Sequence, residues 1–362
     1  GKRSVRAGYF DFSVRKGDGH ILVIFLSYTV KTAGFVIVSY YGGRVSLPLT
    51  ENRDSIIILK VNKLKIIRWK DTKNMNKMRV ITDSASDVSF EMEKRYDVDV
   101  IPFPVVIGEK SYISRVDFDN EGFFKLMEEN EDIPKTSQIT AFQFEEMYFE
   151  YFEKGYTDLF FVLINSTGSA TYQNAVFAIE NFLEEHPECE GKINIHCYDG
   201  ASYSGAYGYP ALMAGEMVQK GASPEEIDEY LKTALAKRCV YFGIYNLKYA
   251  GKSGRIPSAA AFVGDKLNIK PIMKIWDHEI TTAGKCRGEK KVVTKIVEKT
   301  IEEMEPGSPY QVVYGNERSC CDEMIEKLTE KLGYGPVDCY QIGAAVAANA
   351  GPKVVGVIFD RK

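Results

Sequence analysis

Histidine is scarce in this chain. There are four, His20, His186, His196 and His278, and no two are spaced as metal ligands. That leaves little from which to build a zinc site or a histidine-based triad. The seven cysteines (Cys189, Cys197, Cys239, Cys286, Cys320, Cys321 and Cys339) are odd in number and include no C-x-x-C pair. Adjacent Cys320 and Cys321 have no partner at zinc-ligand spacing. The set fits a reduced, cytoplasmic chain with inert thiols and no bound metal. No apolar run is long enough to cross a bilayer; Ile21 to Val30 spans only ten residues. Basic residues precede that run as they would a signal-peptide core, but Lys31 follows at once and no small-x-small cleavage site is evident.

Charge is unevenly spread. Up to Lys77 there are fifteen Lys+Arg against five Asp+Glu, a net of +10; from Met78 onward 31 stand against 45, a net of −14. The acidic main body argues against a nucleic-acid footprint there. Within residues 1–77 the segments Ile21–Val30, Phe35–Tyr41, Ile56–Leu59 and Lys65–Trp69 are rich in Ile, Val and Tyr and separated by turn residues, which is strand chemistry. Two readings stay open. One is a small basic β-rich appendage. The other is upstream translated or fused sequence ahead of a chain that begins at Met75 or Met78.

From Met78 the pattern alternates β and α. Met78–Ile81, Asp99–Val106 (interrupted by Pro102 and Pro104), Leu159–Ile164 and Ile193–Tyr198 read as strands. Phe90–Tyr96, Asn120–Glu129, Phe142–Tyr151 and Ser202–Gln219 read as helices. Ser223-Pro224-Glu225-Glu226 supplies an N-cap, a first-turn proline and first-turn acids for a helix running to about Arg238. Such alternation predicts an α/β domain, residues 78–239, with a mainly parallel sheet flanked by helices. Beyond it, Val240–Tyr245, a hairpin turning at Asp277-His278 (Ile269–Trp276 with Glu279–Ala283), Tyr310–Tyr314, Asp338–Ile342 and Val354–Phe359 are strands. Ser258–Leu267, Lys290–Met304 and Arg318–Leu332 are helices. That predicts an α+β domain, residues 240–362, with a largely antiparallel sheet.

One stretch stands out, Asn165-Ser166-Thr167-Gly168-Ser169-Ala170-Thr171. It joins the apolar run Leu159–Ile164 to a helix whose apolar positions are Tyr172, Ala175, Val176, Ile179, Phe182 and Leu183. Ser169 is expected to cap that helix. A helix start with unpaired N–H groups and partial positive charge also holds anions. Thr82–Asp87 and Lys135–Thr140 are two further hydroxyl-rich loops. All three are expected at the carboxyl ends of strands, where ligands bind on parallel sheets. Helix capping and an anion site both remain open for these loops.

Other candidates are weaker. Gly251-Lys252-Ser253 suggests a P-loop, but Asn246 stands where its first glycine belongs, which excludes a Walker loop. Asp83 and Asp87 could be a phosphatase-like pair acting on a small anionic substrate. Their four-residue spacing differs from the two-residue spacing of the aspartyl-phosphate motif and favours structural capping. Arg255, beside a glycine turn, can reach a carboxylate or phosphate with paired donors.

Taken in order, these residues resemble the DegV family, the fatty-acid-binding proteins of the FakB type. The resemblance runs from Met78 to the C-terminus. It rests on Ile81-Thr82-Asp83-Ser84 through Asp87, on Lys135-Thr136-Ser137-Gln138, and on Ser166 to Tyr172, similar to the family's S-x-x-S-G-T-Y with Ala170 in place of glycine. Gly254-Arg255-Ile256, Lys270-Pro271-Ile272 and Arg287 follow. The family implies two domains enclosing one long-chain fatty acid, with no cofactor. It implies that Thr136 and Ser169 hydrogen-bond the carboxylate, with Arg255 in the same network and Ser84, Ala170 and Asn349 at the ligand. It also implies a non-enzymatic carrier with only transient membrane contact, supplying phospholipid precursors. A separate DAK-type kinase subunit, docking at Arg287, would phosphorylate the bound acid to an acyl phosphate. One departure is clear: where the family has a histidine within G-x-H-x-G-P-G, this chain reads Ala348-Asn349-Ala350-Gly351-Pro352-Lys353. Asparagine donates a hydrogen bond but carries neither proton nor charge.

If the basic head contacts nucleic acid or anionic lipid, the full chain binds polyanions and a version starting at Met78 does not. A filter-binding assay with heparin or DNA decides this, and no binding by the full chain ends the idea.

Overall fold

The computed structural model describes residues 76–256 and 268–362, together with the backbone of four short strands in the first 70 residues. The predicted Ser258–Leu267 helix and Ile56–Leu59 strand lie outside the described residues. The four short strands are β1 (Leu22–Ile24), β2 (Val36–Ser39), β3 (Lys60–Val61) and β4 (Leu64–Ile67). They pair antiparallel in the order β1-β2-β4-β3. The chain divides between Asn76 and Lys77, and residues 77–362 form one compact unit.

That unit begins with β5 (Met78–Asp83), α1 (Phe90–Tyr96) and β6 (Val98–Ile101). The expected strand Asp99–Val106 is in fact two strands in two sheets. Pro102 has no N–H to continue the ladder. The chain breaks there, and β7 (Pro104–Ile107) joins β8 (Lys110–Ile113) and β9 (Lys135–Thr136) in a small antiparallel sheet. Helix α2 (Asn120–Glu129) lies between β8 and β9 in the chain.

Next come α3 (Ala141–Glu153), β10 (Asp158–Leu163), α4 (Thr171–Glu185), β11 (Asn194–Asp199), α5 (Gly205–Gln219) and α6 (Pro224–Lys237). The sheet order is β11-β10-β5-β6, and every neighbouring pair is parallel. Strand β10 is buried along its whole length, as an uninterrupted Leu-Phe-Phe-Val-Leu run requires of a central parallel strand. The Ser223–Glu226 capping box starts α6 as expected.

The second large sheet runs β14-β13-β12-β17-β15-β16, from β12 (Arg238–Ile244), β13 (Ile269–Trp276), β14 (Glu279–Arg287), β15 (Tyr310–Tyr314), β16 (Asp338–Gln341) and β17 (Val354–Asp360). All pairs are antiparallel except β15 with β16. Its helices are α7 (Leu247–Ser253), α8 (Val292–Glu303), α9 (Ser319–Leu332) and α10 (Ala344–Ala350). Helix α10 is an addition to the sequence reading. Five buried alanines pack it closely, and so short an all-small segment carries no apolar periodicity to detect.

Alternation along the second sheet decides where the cavity lies. On one face Cys239, Tyr241, Val357 and Phe359 pack with residues of α8 and α9. On the other face Val240, Phe242, Val354 and Ile358 pack with α10, β7 and α2. The two sets differ by one residue in register, as strand geometry demands. The parallel sheet has its own core, built on Phe160, Phe161, Phe144, Tyr148 and Phe182.

Helix α5 lies close against the loop after β5. A Cβ on Gly208 would stand 2.5 Å from the Ser86 carbonyl oxygen, and that atom is backbone. Replacing Gly208 with alanine is expected to cost about 1–3 kcal/mol of stability through overpacking. Urea unfolding measures it; an unchanged midpoint would show that α5 can shift at no cost.

Candidate functional site

A cavity opens between the inner face of the second sheet and the loops at the end of the parallel sheet. It holds about 950 Å³ outside atoms, its open mouth included. Val240, Phe242, Ile275, Val313, Val354 and Ile358 supply an apolar wall, and Phe103 and Ile164 face it from the first half. Polar residues also line the space, among them Thr136, Ser137, Gln138, Ser169, Arg255 and Asn349. A second, more polar hollow adjoins it, shares Gly168, Ser169, Tyr203 and Arg255 with it, and extends to His278. A mainly apolar volume with a minority of polar groups in its wall is the complement of an amphiphile.

The hydroxyl loop after β10 is organised by Asn165. Its backbone carbonyl accepts from Gly168 and Ser169 N–H at 3.0 and 3.2 Å, and its Oδ1 accepts from Thr167 N–H at 3.1 Å. Its Nδ2 donates to the His278 carbonyl at 2.9 Å, and Thr167 Oγ1 donates to the same carbonyl at 3.2 Å. The tip of the β13–β14 hairpin is thus latched to this loop. Ser166 and Ala201 N–H both donate to Asp199 Oδ1, at 3.1 and 2.9 Å.

Ser169 is not the N-cap. Helix α4 is capped by Ala170, which offers no side-chain bond. Ser169 and Thr171 hydroxyls are 2.9 Å apart, and Thr171 Oγ1 accepts from Ile139 N–H at 3.3 Å. Ser169 Oγ accepts from the first-turn Thr171 N–H at 3.3 Å, so Ser169 still serves the start of the helix from one residue further out. Gly168 is needed here for a different reason: a Cβ would meet the Tyr203 hydroxyl at 2.2 Å.

Arg255 follows Gly254, which takes φ +72° as the C-cap of α7. That turn delivers the exposed guanidinium to the hydroxyl loop, where Nε approaches the Gly168 carbonyl at 3.4 Å and Nη1 donates to the Ser253 carbonyl at 3.0 Å. Asn349, on α10, donates from Nδ2 to the Ala345 carbonyl at 2.8 Å. One of its amide hydrogens is thereby committed to its own helix.

Thr136, Ser169, Arg255 and Asn349 thus share one cavity. Other expected residues lie elsewhere. Ser84 is buried outside it; its hydroxyl is 3.0 Å from that of Ser114, and both accept from Phe103 N–H at 2.9 Å. Ser84 positions Phe103, which does line the cavity. Ala170 lines only the adjoining polar hollow. Arg287 lies exposed at the end of β14, away from both. The Lys135–Thr140 loop does not follow a strand of the parallel sheet as expected, because β9 belongs to the small antiparallel sheet. The third loop at the parallel edge is instead Asp199–Ser204, which brings Tyr203 and Ser204 to the cavity. Both were overlooked; the loop's position directly after an apolar strand was the available signal.

The phosphatase-like pair is a correction. Asp83 is fully buried and accepts from Ala85 N–H, Ile164 N–H and the Tyr207 hydroxyl at 3.0, 2.8 and 2.6 Å. Asp87 accepts from the Ser204 hydroxyl at 2.6 Å and Gly343 N–H at 2.8 Å. These carboxylates are occupied in holding backbone together, and neither lines the apolar cavity. Among the described residues no group of three His, Cys, Asp or Glu could hold a metal.

A family profile described as "Uncharacterised protein, DegV family" matches residues 77–362. The chain belongs to the DegV family. A Thermotoga maritima relative named as a fatty acid-binding protein is 31% identical over 79% of this chain and 99% of its own length. Bacillus subtilis protein DegV is 28% identical over 77% of this chain and 98% of its own. Among solved structures, a Thermotoga maritima protein described as revealing fatty acid binding function aligns with TM-score 0.67 and 29% identity, covering 79% of this chain and all of the other. Bacillus subtilis DegV, described as a fatty acid binding protein, aligns with TM-score 0.67 and 26% identity, covering 80% and 100%. The parallel first sheet and mainly antiparallel second sheet are thus the DegV fold.

Burial pushes both DegV aspartates above the ordinary carboxylate range, Asp83 to about 6 and Asp87 to about 7, against the lowering effect of their hydrogen bonds. A raised folded-state pKa means that the native protein keeps a proton the unfolded chain has lost. Stability therefore falls as pH rises from the ordinary carboxylate value through these raised ones. In Asp87→Asn the fall between about pH 5 and about pH 8 should shrink by about 1–2 kcal/mol. Urea unfolding across pH reads it, and an identical slope would refute the assignment.

Proposed function

We propose that this chain binds one long-chain fatty acid in the cavity, its tail against Val240, Phe242, Ile275 and Val313 and its carboxylate at Thr136, Ser169 and Arg255. The carrying observation is that hydroxyls and a guanidinium line a space whose other walls are apolar. The naming of relatives as fatty acid-binding proteins supports the same reading. Burying each CH₂ contributes about 0.8 kcal/mol, so a sixteen-carbon tail gains roughly 12 kcal/mol gross. Association and ordering remove about 4–15 kcal/mol of that kind of total. A carboxylate left unpaired there would cost more than the tail can offset, which is why the polar cluster matters. Asn349 completes the wall beside the carboxylate as an uncharged group.

In this reading the protein is a carrier. It presents the acid to a separate kinase subunit, with Arg287 on the docking face, and the product is an acyl phosphate that feeds phospholipid synthesis. Residues 78–239 and 240–362 act as the two domains that enclose the ligand.

Denaturing the purified protein and identifying released lipid by mass spectrometry tests the ligand. A stoichiometric fatty acid is expected. An empty protein that also takes up neither oleate nor palmitate overturns the reading. In delipidated protein, Thr136→Ala, Ser169→Ala and Arg255→Ala should each weaken binding by about 1.5–3 kcal/mol, roughly 10- to 100-fold, the scale of a hydrogen bond to a charged group. Arg287→Ala should leave lipid affinity unchanged and lower acyl-phosphate formation with the kinase and ATP. Equal loss of both would place Arg287 at the ligand instead.

A further inference from the structure

Seven thiols lie among the described residues, and in five of them the sulfur has no sulfur neighbour. Cys197 meets the Tyr148 hydroxyl at 3.8 Å, Cys320 the Tyr245 hydroxyl at 3.6 Å and Cys286 the Lys270 carbonyl at 3.6 Å. Burial pushes Cys197 and Cys239 up to about 12, which keeps both as unreactive thiols. The exception is Cys321 with Cys339. Their sulfurs stand 2.7 Å apart, closer than unbonded sulfurs ordinarily rest.

Both positions are held by the fold. Cys321 lies in the first turn of α9, fully buried beside Met324 and Leu328. Cys339 lies in β16, opposite Val312 of the neighbouring strand β15. The cysteines are 18 residues apart in sequence, so this meeting is a product of the β15–α9–β16 crossover. Cys339 is half-buried, within reach of a small oxidant, whereas Cys321 is shielded.

We propose that Cys321 and Cys339 are an oxidisable dithiol that closes to a disulfide on exposure to hydrogen peroxide. The Cys339 thiolate attacks one peroxide oxygen; the O–O bond breaks, leaving Cys339 sulfenic acid and a hydroxide that takes up a proton. The Cys321 sulfur then attacks the sulfenic sulfur. The S–O bond breaks, the S–S bond forms, and the second oxygen leaves as water with the Cys321 proton. Two thiols are oxidised by two electrons, one peroxide is reduced, and two waters result. Roles follow from surroundings: Cys339 is the sulfur an oxidant can reach and Cys321 is fully buried, and the contact with Cys321 and the charge of Arg318 lower the Cys339 pKa. The cross-link would pin β16 to α9 one residue before Tyr340, whose hydroxyl accepts from Gly205 N–H of the parallel-sheet half at 2.9 Å. Neither cysteine lines the apolar cavity, so this chemistry stands apart from ligand binding.

The test treats reduced full-length protein with equimolar hydrogen peroxide and measures intact mass, then alkylates in denaturant and maps peptides. Loss of two hydrogens is expected, with Cys321 and Cys339 linked and protected from alkylation. Cys339 should react at least about tenfold faster than Cys286, which has no thiol neighbour. Cys320→Ser should keep the link and Cys339→Ser should abolish it. The unsubstituted protein alone decides the main point, so a variant that folds poorly does not blunt the test. Full alkylation of both thiols after peroxide, or a link through Cys320, would overturn the proposal.

Discussion

Asp87 accepts one hydrogen bond from each side of the cavity. Ser204 belongs to the loop after the last parallel strand, and Gly343 starts the helix that covers the second sheet. A half-buried carboxylate is costly to desolvate, and here donors from two layers offset that cost only in part, which is why its pKa stays raised. Removing either layer would strip the carboxylate of one of its two donors. The two sheets are therefore held in one spacing, and the cavity is what that spacing leaves unfilled. Tyr340 with Gly205, and the His278 carbonyl with Asn165 and Thr167, repeat the arrangement at other points along the same seam.

The seam also bears on why the polar lining of the cavity is built of small hydroxyls. Residues such as Ser169 and Thr171 satisfy one another and the backbone while keeping further capacity to donate. Arg255 contributes charge from the opposite layer, delivered by a glycine turn rather than by a regular element. The apolar wall needs no special residues, only the regular alternation of β12, β15 and β17.

Legibility followed the range of the interaction. Local signals were plain: the apolar run of β10, the capping box at Ser223, and the hairpin turning at Asp277-His278. Thr136, Ser169 and Arg255 were singled out through the motifs that carry the family resemblance, and all three line one cavity. Ser84 looked like their companion because it shares their chemistry, yet it is turned toward Ser114 beneath Phe103. Pro102 divides what read as one strand, and only tertiary pairing tells which sheet takes each part. Tyr203 and Phe103 reach the cavity through loop geometry, which has no period to read. The approach of Cys321 to Cys339 depends on a crossover, so spacing alone suggested unrelated thiols.

The docked tip of the β13–β14 hairpin bears on time as well as place. Its residues Asp277 and His278 both take positive φ, at 48° and 69°, and the His278 backbone is bonded on both sides, by Asn165 and Thr167 and to Ala201. The tip clasps the loop that carries Ser169, where the proposed carboxylate would sit. If the proposed cargo leaves past this loop, the clasp would have to open first, and residence time would follow the frequency of that opening rather than the greasiness of the tail. Two cargoes of unequal affinity would then depart at similar rates, and the difference between them would appear in how readily each is captured.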